Sequence, residues 1–148
     1  MIGRAPSYLL DVNTVLALLD PKHVFHEAAH AWAAADPNSR WLTCPIVQNG
    51  VLRVASQPRY PNSLGTVSAV RDLMRAFTAH PRHEFLPDDI TLLDDSIVRP
   101  ERLTPASTTG VYLLLLAQRH HAKLATFDRR LPVDAIAGGA EAIEVIGV

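Results

Sequence analysis

Ser7-Tyr8-Leu9-Leu10-Asp11, followed by the stretch from Asn13 to Leu19, decides the fold. Residues 7–11 read as a buried strand ending in a carboxylate. Val15, Leu16, Leu18 and Leu19 then recur at helical spacing until Asp20-Pro21 stops them. The same signature returns late in the chain, where Leu124-Ala125-Thr126-Phe127 runs into Asp128. Side chains at the carboxyl ends of parallel strands converge on one crevice, where open α/β sheets bind ligands. Two aspartates brought together there repel unless a cation lies between them. The pair therefore predicts a hard-metal site of the magnesium or manganese type at Asp11 and Asp128.

Between these ends, strand and helix patterns alternate. His23 to Ala35 reads as a second helix, stopped by Asp36-Pro37, and Trp41-Leu42-Thr43 as a short strand. Pro45 suits a first helical turn, and Ile46, Val47, Val51, Leu52, Val54 and Ala55 carry that helix to Gln57-Pro58. Pro58 to Ser63 reads as a loop. Leu64 to Ala79 predicts an amphipathic helix with Val67, Val70, Leu73, Met74 and Phe77 inward. Glu84-Phe85-Leu86 is a weak strand, Ile90 to Val98 fits no single pattern, and Ser107 to His121 is a helix. Lys123 to Phe127 and Ala142 to Ile146 complete the strands. Strands alternating with helices predict a mainly parallel sheet covered on both faces.

Composition narrows the function classes. A chain of 148 residues with 48% hydrophobic residues has enough apolar material for one well-buried core. A net charge of −1 argues against a protein held to nucleic acid by a broad basic face, but not against a nuclease whose metal ions meet the phosphate. The single cysteine, Cys44, excludes an internal disulfide, and no apolar run is long enough to span a bilayer. No secretory signal pattern opens the chain, so a cytoplasmic setting is expected.

Asp11-Val12-Asn13-Thr14, then Thr43-Cys44-Pro45-Ile46 opening a helix, then Ala125-Thr126-Phe127-Asp128 resembles the PIN-domain family, and within it the VapC-type toxins of bacterial toxin–antitoxin pairs. Asn49-Gly50-Val51-Leu52-Arg53-Val54, the turn from Pro58 to Pro61, Pro87-Asp88-Asp89-Ile90 and Tyr112-Leu113-Leu114 fall in the expected order. The resemblance covers nearly the whole chain. It implies an α/β, PIN-like three-layer sandwich with a mainly parallel central sheet flanked by helices, as one domain over residues 1–148. It further implies a metal-dependent endoribonuclease using Mg2+ or Mn2+, with RNA as substrate. A short VapB-like antitoxin with its tail in the crevice and a homodimer complete the implied assembly.

The chain departs from the family's acidic pattern at two of four places. Asp11 and Asp128 match the first and last acids and are the implied metal ligands. The glutamate expected in the helix after the Cys-Pro turn falls on Gln48, and the aspartate expected to open the late helix falls on Gly110. Gln48 offers only a neutral carbonyl oxygen, and Gly110 offers no side chain. The alternative function is thus a PIN-like module that binds an antitoxin or RNA without cutting it.

Asn13 and Thr14 lie just beyond the first strand. The resemblance implies that they orient Asp11 or a bound water, while Thr14 also reads as a helix cap. Asp94, Asp95 and Asp134 are further candidates to approach the metal, each against a plainer reading as a solvated or structural acid. His23, His26 and His30 recur at spacings that share a helix face, either as solvated polar side chains or as metal ligands. His120-His121 suits a helix C-terminus. Cys44 reads as a buried inert thiol, and Trp32 and Trp41 as core or interface residues. Arg129 and Arg130 read equally as solvated residues or as contacts for RNA phosphate or an antitoxin carboxylate.

Overall fold

A computed structural model describes residues 5–147. Five parallel strands form the central sheet in the order β3-β2-β1-β4-β5, so the first strand lies in the middle. They are β1 (Ser7–Leu10), β2 (Arg40–Thr43), β3 (His83–Phe85), β4 (Lys123–Thr126) and β5 (Ile143–Val145). Tyr8 pairs with Trp41 on one side and Lys123 on the other, which places the carboxyl ends of β1, β2 and β4 side by side. The expected strand boundaries hold to within about a residue. Ile90 to Val98 contributes no named strand; it is joined to the rest by an isolated antiparallel bridge between Ile97 and Ile136, by the Val98 amide donating to the Ala135 carbonyl at 2.9 Å and by apolar packing of Ile90, Leu92 and Ile97 on the core.

Five α-helices connect the strands: α1 (Val12–Leu19), α2 (His26–Ala35), α3 (Pro45–Ala55), α4 (Val67–Thr78) and α5 (Thr108–Arg119). Each has a local cause. Asp11 caps α1 by accepting the Thr14 amide at 2.8 Å, and the chain leaves at Asp20-Pro21 because proline supplies no amide to continue. Helix α2 begins three residues later than expected, because His23 to Phe25 form a turn. Helix α3 starts with Pro45, and its cap arrives from a distant segment: Asp88, just past β3, accepts the Ile46 amide at 3.1 Å. Thr66 caps α4 by accepting the Ala69 amide at 3.1 Å.

Helix α5 closes with hydrogen bonds from the Ala122 amide to the Ala117 carbonyl and from the His121 amide to the Gln118 carbonyl, with His121 in the left-handed region at φ 57°. This is the Schellman arrangement, with histidine where glycine is usual. The His120 imidazole meets the Asp89 carboxylate at 2.8 Å.

The core runs between sheet and helices. Leu9, Leu10, Val15, Val47, Val51, Val70, Leu114, Leu115, Leu116, Leu124 and Ile146 are fully buried. On α4 the inward set is narrower than predicted. Val70 and Met74 are buried, whereas Val67 and Leu73 are 54% and 40% exposed, so the helix rests on its neighbours along a thin stripe. Trp41 is buried against Phe77, with the Arg82 guanidinium over its ring at 4.2 Å. Among the described residues no helix is long and apolar enough to cross a membrane.

Candidate functional site

The site is assembled where β1 and β4 end. Thr126 is the last residue of β4 and is buried. Its hydroxyl donates to Oδ2 of Asp11 at 2.6 Å and accepts the backbone amide of Asp128 at 3.0 Å. One oxygen therefore links the two aspartates that sequence reading singled out. Asp11 is fixed at its other oxygen by the Thr14 amide. Asp128 is exposed, and its Oδ1 accepts the Arg130 amide at 2.8 Å, which folds the chain into a turn just after the site. Thr126 was not singled out as a site residue, although its place two residues before Asp128 is the available signal.

Asn13 and Thr14 stand beside Asp11 in different ways. The Thr14 side chain is buried and donates to the Ala125 carbonyl at 3.1 Å, pinning α1 to β4. Asp11, not Thr14, is therefore the cap, and Thr14 orients Asp11 through its amide. Asn13 is exposed, and its Oδ1 lies 2.9 Å from Nε2 of His23. Burial, reinforced by nearby His26 and opposed by Asp20, holds His23 below the ordinary imidazole range.

The other expected positions are displaced from this pair. Gln48 is turned away from α1. It donates to the Thr43 hydroxyl at 3.0 Å, and that hydroxyl meets Nε2 of His83 at 2.7 Å. Gln48 also borders a crevice with Leu52, Arg71, Met74 and Arg75, between α3 and α4. The residue of α3 that faces α1 is Gly50, where a Cβ would come within 2.6 Å of Val12. Gln48, expected as a neutral ligand beside Asp11, thus spends its amide on Thr43, and position 50, nearly opposite on the helix, is the one that meets α1.

Gly110 lies in the first turn of α5, where a Cβ would stand 2.6 Å from Leu131. Leu131 thus fills the space beside the missing carboxylate. Asp94 accepts from Ser96 and pairs with Arg119 at 3.4 Å, while Asp134 pairs with Arg102 at 3.2 Å. Neither is free to serve Asp128. His26 and His30 bind the Ala17 and Leu18 carbonyls at the end of α1, each at 2.8 Å, and so act as its caps. Cys44 is fully buried, and burial pushes its thiol up to about 12, as expected of an inert cysteine. Asp88, from the Pro87-to-Ile90 motif, is a further acid just past the end of β3. Besides capping α3, Asp88 keeps its Oδ1 buried and without a hydrogen-bond partner among the described residues. It lies near Tyr112, whose phenol is raised by burial and by the Asp88 charge.

The chemistry of this donor set can be tested against a divalent ion. Among the described residues no group of three or more His, Cys, Asp or Glu side chains could hold a metal. Two carboxylates remain, each with lone pairs beyond those its hydrogen bonds use. Magnesium binds through as few as one or two carboxylates and retains several waters. Asp11 and Asp128 therefore fit a single, largely hydrated ion.

Comparison with known proteins identifies the family. A family model described as the PIN domain matches residues 8–136. Ribonuclease VapC44 of Mycobacterium tuberculosis is 42% identical over 135 residues, which is 90% of this chain and 94% of that protein. Ribonuclease VapC38 of the same organism is 37% identical over 121 residues, 81% of this chain and 84% of that one. The backbone is also similar to the crystal structure of VapBC2 from Rickettsia felis bound to a DNA fragment from their promoter. That likeness has a TM-score of 0.62 and 14% identity, and covers 95% of this chain and 99% of the other. The parallel sheet, the acids at the ends of β1 and β4, and relatives matched over most of their length lead to one assignment: the chain belongs to the PIN-domain family, among its VapC-type members.

Proposed function

We propose that residues 1–148 form one PIN-type domain that acts as a VapC-type toxin, hydrolysing RNA with a divalent ion held by Asp11 and Asp128. The observation that carries this reading is the Thr126 hydroxyl, which ties both aspartates together at the carboxyl edge of the sheet. Bound there, Mg2+ or Mn2+ would supply Lewis acidity toward the phosphate and a more acidic water. The chain's own contribution is orientation. Thr126 and the Thr14 amide fix the Asp11 carboxylate, the Arg130 amide fixes Asp128, and Asn13 offers a polar contact at the exposed start of α1. Support for an antitoxin partner comes from the VapC-type relatives and from the VapBC2 likeness. We extend to this chain a VapB-like antitoxin, a homodimeric assembly and a cytoplasmic setting.

The experiment is cleavage of a panel of single-stranded RNAs with and without Mg2+, beside an Asp11→Ala control. Metal-dependent cleavage that the control loses is the expected result. Absence of such cleavage, or equal cleavage by the control, overturns the reading.

A second reading has its own observation: among the described residues no group of three or more His, Cys, Asp or Glu side chains could hold a metal, where the family resemblance implies four acids. In that case the domain binds RNA or an antitoxin without cutting. Metal-independent RNA binding by a wild-type protein that shows no cleavage would establish it.

A further inference from the structure

Two hydrogen bonds at the entrance to the site have only one consistent direction. The Phe25 backbone amide is 3.0 Å from Nδ1 of His23. A backbone amide can only donate, so Nδ1 must be the bare nitrogen. The ring proton of neutral His23 then sits on Nε2, which faces Oδ1 of Asn13 at 2.9 Å. Asn13 is therefore held by its carbonyl oxygen, and its amino group is left over. Among the described residues that amino group has no hydrogen-bond partner, and the side chain is exposed, two residues beyond Asp11.

The turn that carries His23 is itself anchored to the site. The Phe25 ring stacks on Phe127, with centroids 4.5 Å apart and planes inclined by 19°. Phe127 is the residue between Thr126 and Asp128. The His23 ring lies against Phe25 at 5.8 Å. The segment between α1 and α2 is thus braced against the strand end that bears the last acid, and His23 reaches from it to Asn13.

We infer that His23 is a positioning residue that holds the Asn13 carboxamide with its two N–H donors facing outward beside Asp11, as a seat for a phosphate oxygen of the RNA strand. This rests on the RNA-directed reading of the site. The ligand class follows from the donor pattern. An amide N–H pair recognises an acceptor, and beside Asp11 and Asp128 the acceptor that a divalent ion would accompany is a phosphate oxygen.

The test is RNA binding in EDTA, where nothing is cut, read by fluorescence anisotropy with a labelled 20-nucleotide single-stranded RNA of mixed sequence. His23→Ala is expected to weaken binding about fivefold, the size of one well-placed neutral hydrogen bond. Asn13→Ala is expected to weaken it by a similar or larger factor. The double variant should bind no more weakly than Asn13→Ala alone, since His23 acts through Asn13. His23→Gln, which keeps a donor at the same reach, should restore most of the affinity. Imidazole 15N shifts of the uncomplexed protein should show His23 protonated at Nε2 only, and the Asn13 side-chain amide should shift when the RNA is added.

Additive losses in the double variant, or a His23 protonated at Nδ1, overturn the inference. If the wild type binds RNA and shows this coupling but never cleaves, the nuclease reading falls and the inference stands. If the wild type cleaves and the coupling is absent, the inference alone falls. A wild type that neither binds RNA in EDTA nor cleaves it with Mg2+ overturns both.

Discussion

The Thr126 hydroxyl lies 2.6 Å from Oδ2 of Asp11 and takes the amide proton of Asp128 on the same oxygen. Thr126→Val keeps the shape of the side chain and removes this link. The loss of one charge-assisted hydrogen bond is worth about 1.5–3 kcal/mol. RNA cleavage is expected to fall about tenfold or more, since 1.4 kcal/mol is a factor of ten. Cleavage assays beside a melting curve check this; unchanged cleavage would show that the hydroxyl does not organise the acids.

Restoring acids at positions 48 and 110 should have unequal effects. Gln48→Glu places its charge toward Thr43 and Arg75, so Mg2+ affinity measured by calorimetry should not change. Gly110→Asp puts a carboxylate in the first turn of α5, against the segment that follows Asp128, and should strengthen Mg2+ binding. Equal gains from the two would contradict the orientation of α3. Gly110→Ala should be close to neutral. The gain of about 1 kcal/mol in helix propensity is offset by displacing the Leu131 methyl that stands 2.6 Å away.

Much of this arrangement could be read before any coordinates. The strand–Asp–helix signature at Asp11 and its echo at Asp128 anticipated two acids at the ends of neighbouring strands, because strand ends and caps are local features. The roles of Gln48 and His23 could not be read this way. Gln48 faces Thr43 and α4 because α3 is rotated so that Gly50 meets Val12, a long-range packing choice. His23 meets Asn13 because the segment before α2 is a turn and not a helix, held by stacking on Phe127, more than 100 residues away. The extent of α4's buried face was also misjudged, since periodicity marks Val67 and Leu73 as apolar without saying whether a neighbour covers them.

Asp20 should make stability sensitive to acid. It is buried and accepts the Lys22 amide, the Tyr60 hydroxyl and the Asn62 amide. Burial alone would raise its carboxyl, but these donors outweigh it and hold it below the ordinary value of 3.8. A carboxyl depressed by folding stabilises the native state above the unfolded pKa, and that contribution is lost as pH falls through the folded one. Asp20→Asn should lower stability by about 2 kcal/mol at neutral pH. The gap from wild type should close in strong acid, as denaturant melts across pH would reveal. A constant gap would rule out this role.

His121 should be replaceable with profit. It occupies the left-handed position that ends α5, where glycine has no steric cost. His121→Gly is expected to raise stability by about 1 kcal/mol, and the melting temperature by several degrees. A lower melting temperature would mean that the imidazole makes a contact outweighing the backbone gain.

Asp11 carries two duties at once, since the carboxylate that faces the crevice is also the cap of α1. Removing the need for a metal ligand would therefore not release position 11, because the helix that follows would still need its cap. An aspartate at position 11 thus answers the demands of folding as well as those of chemistry. Asp11→Asn separates the two: the helix keeps a preferred cap while the charge disappears.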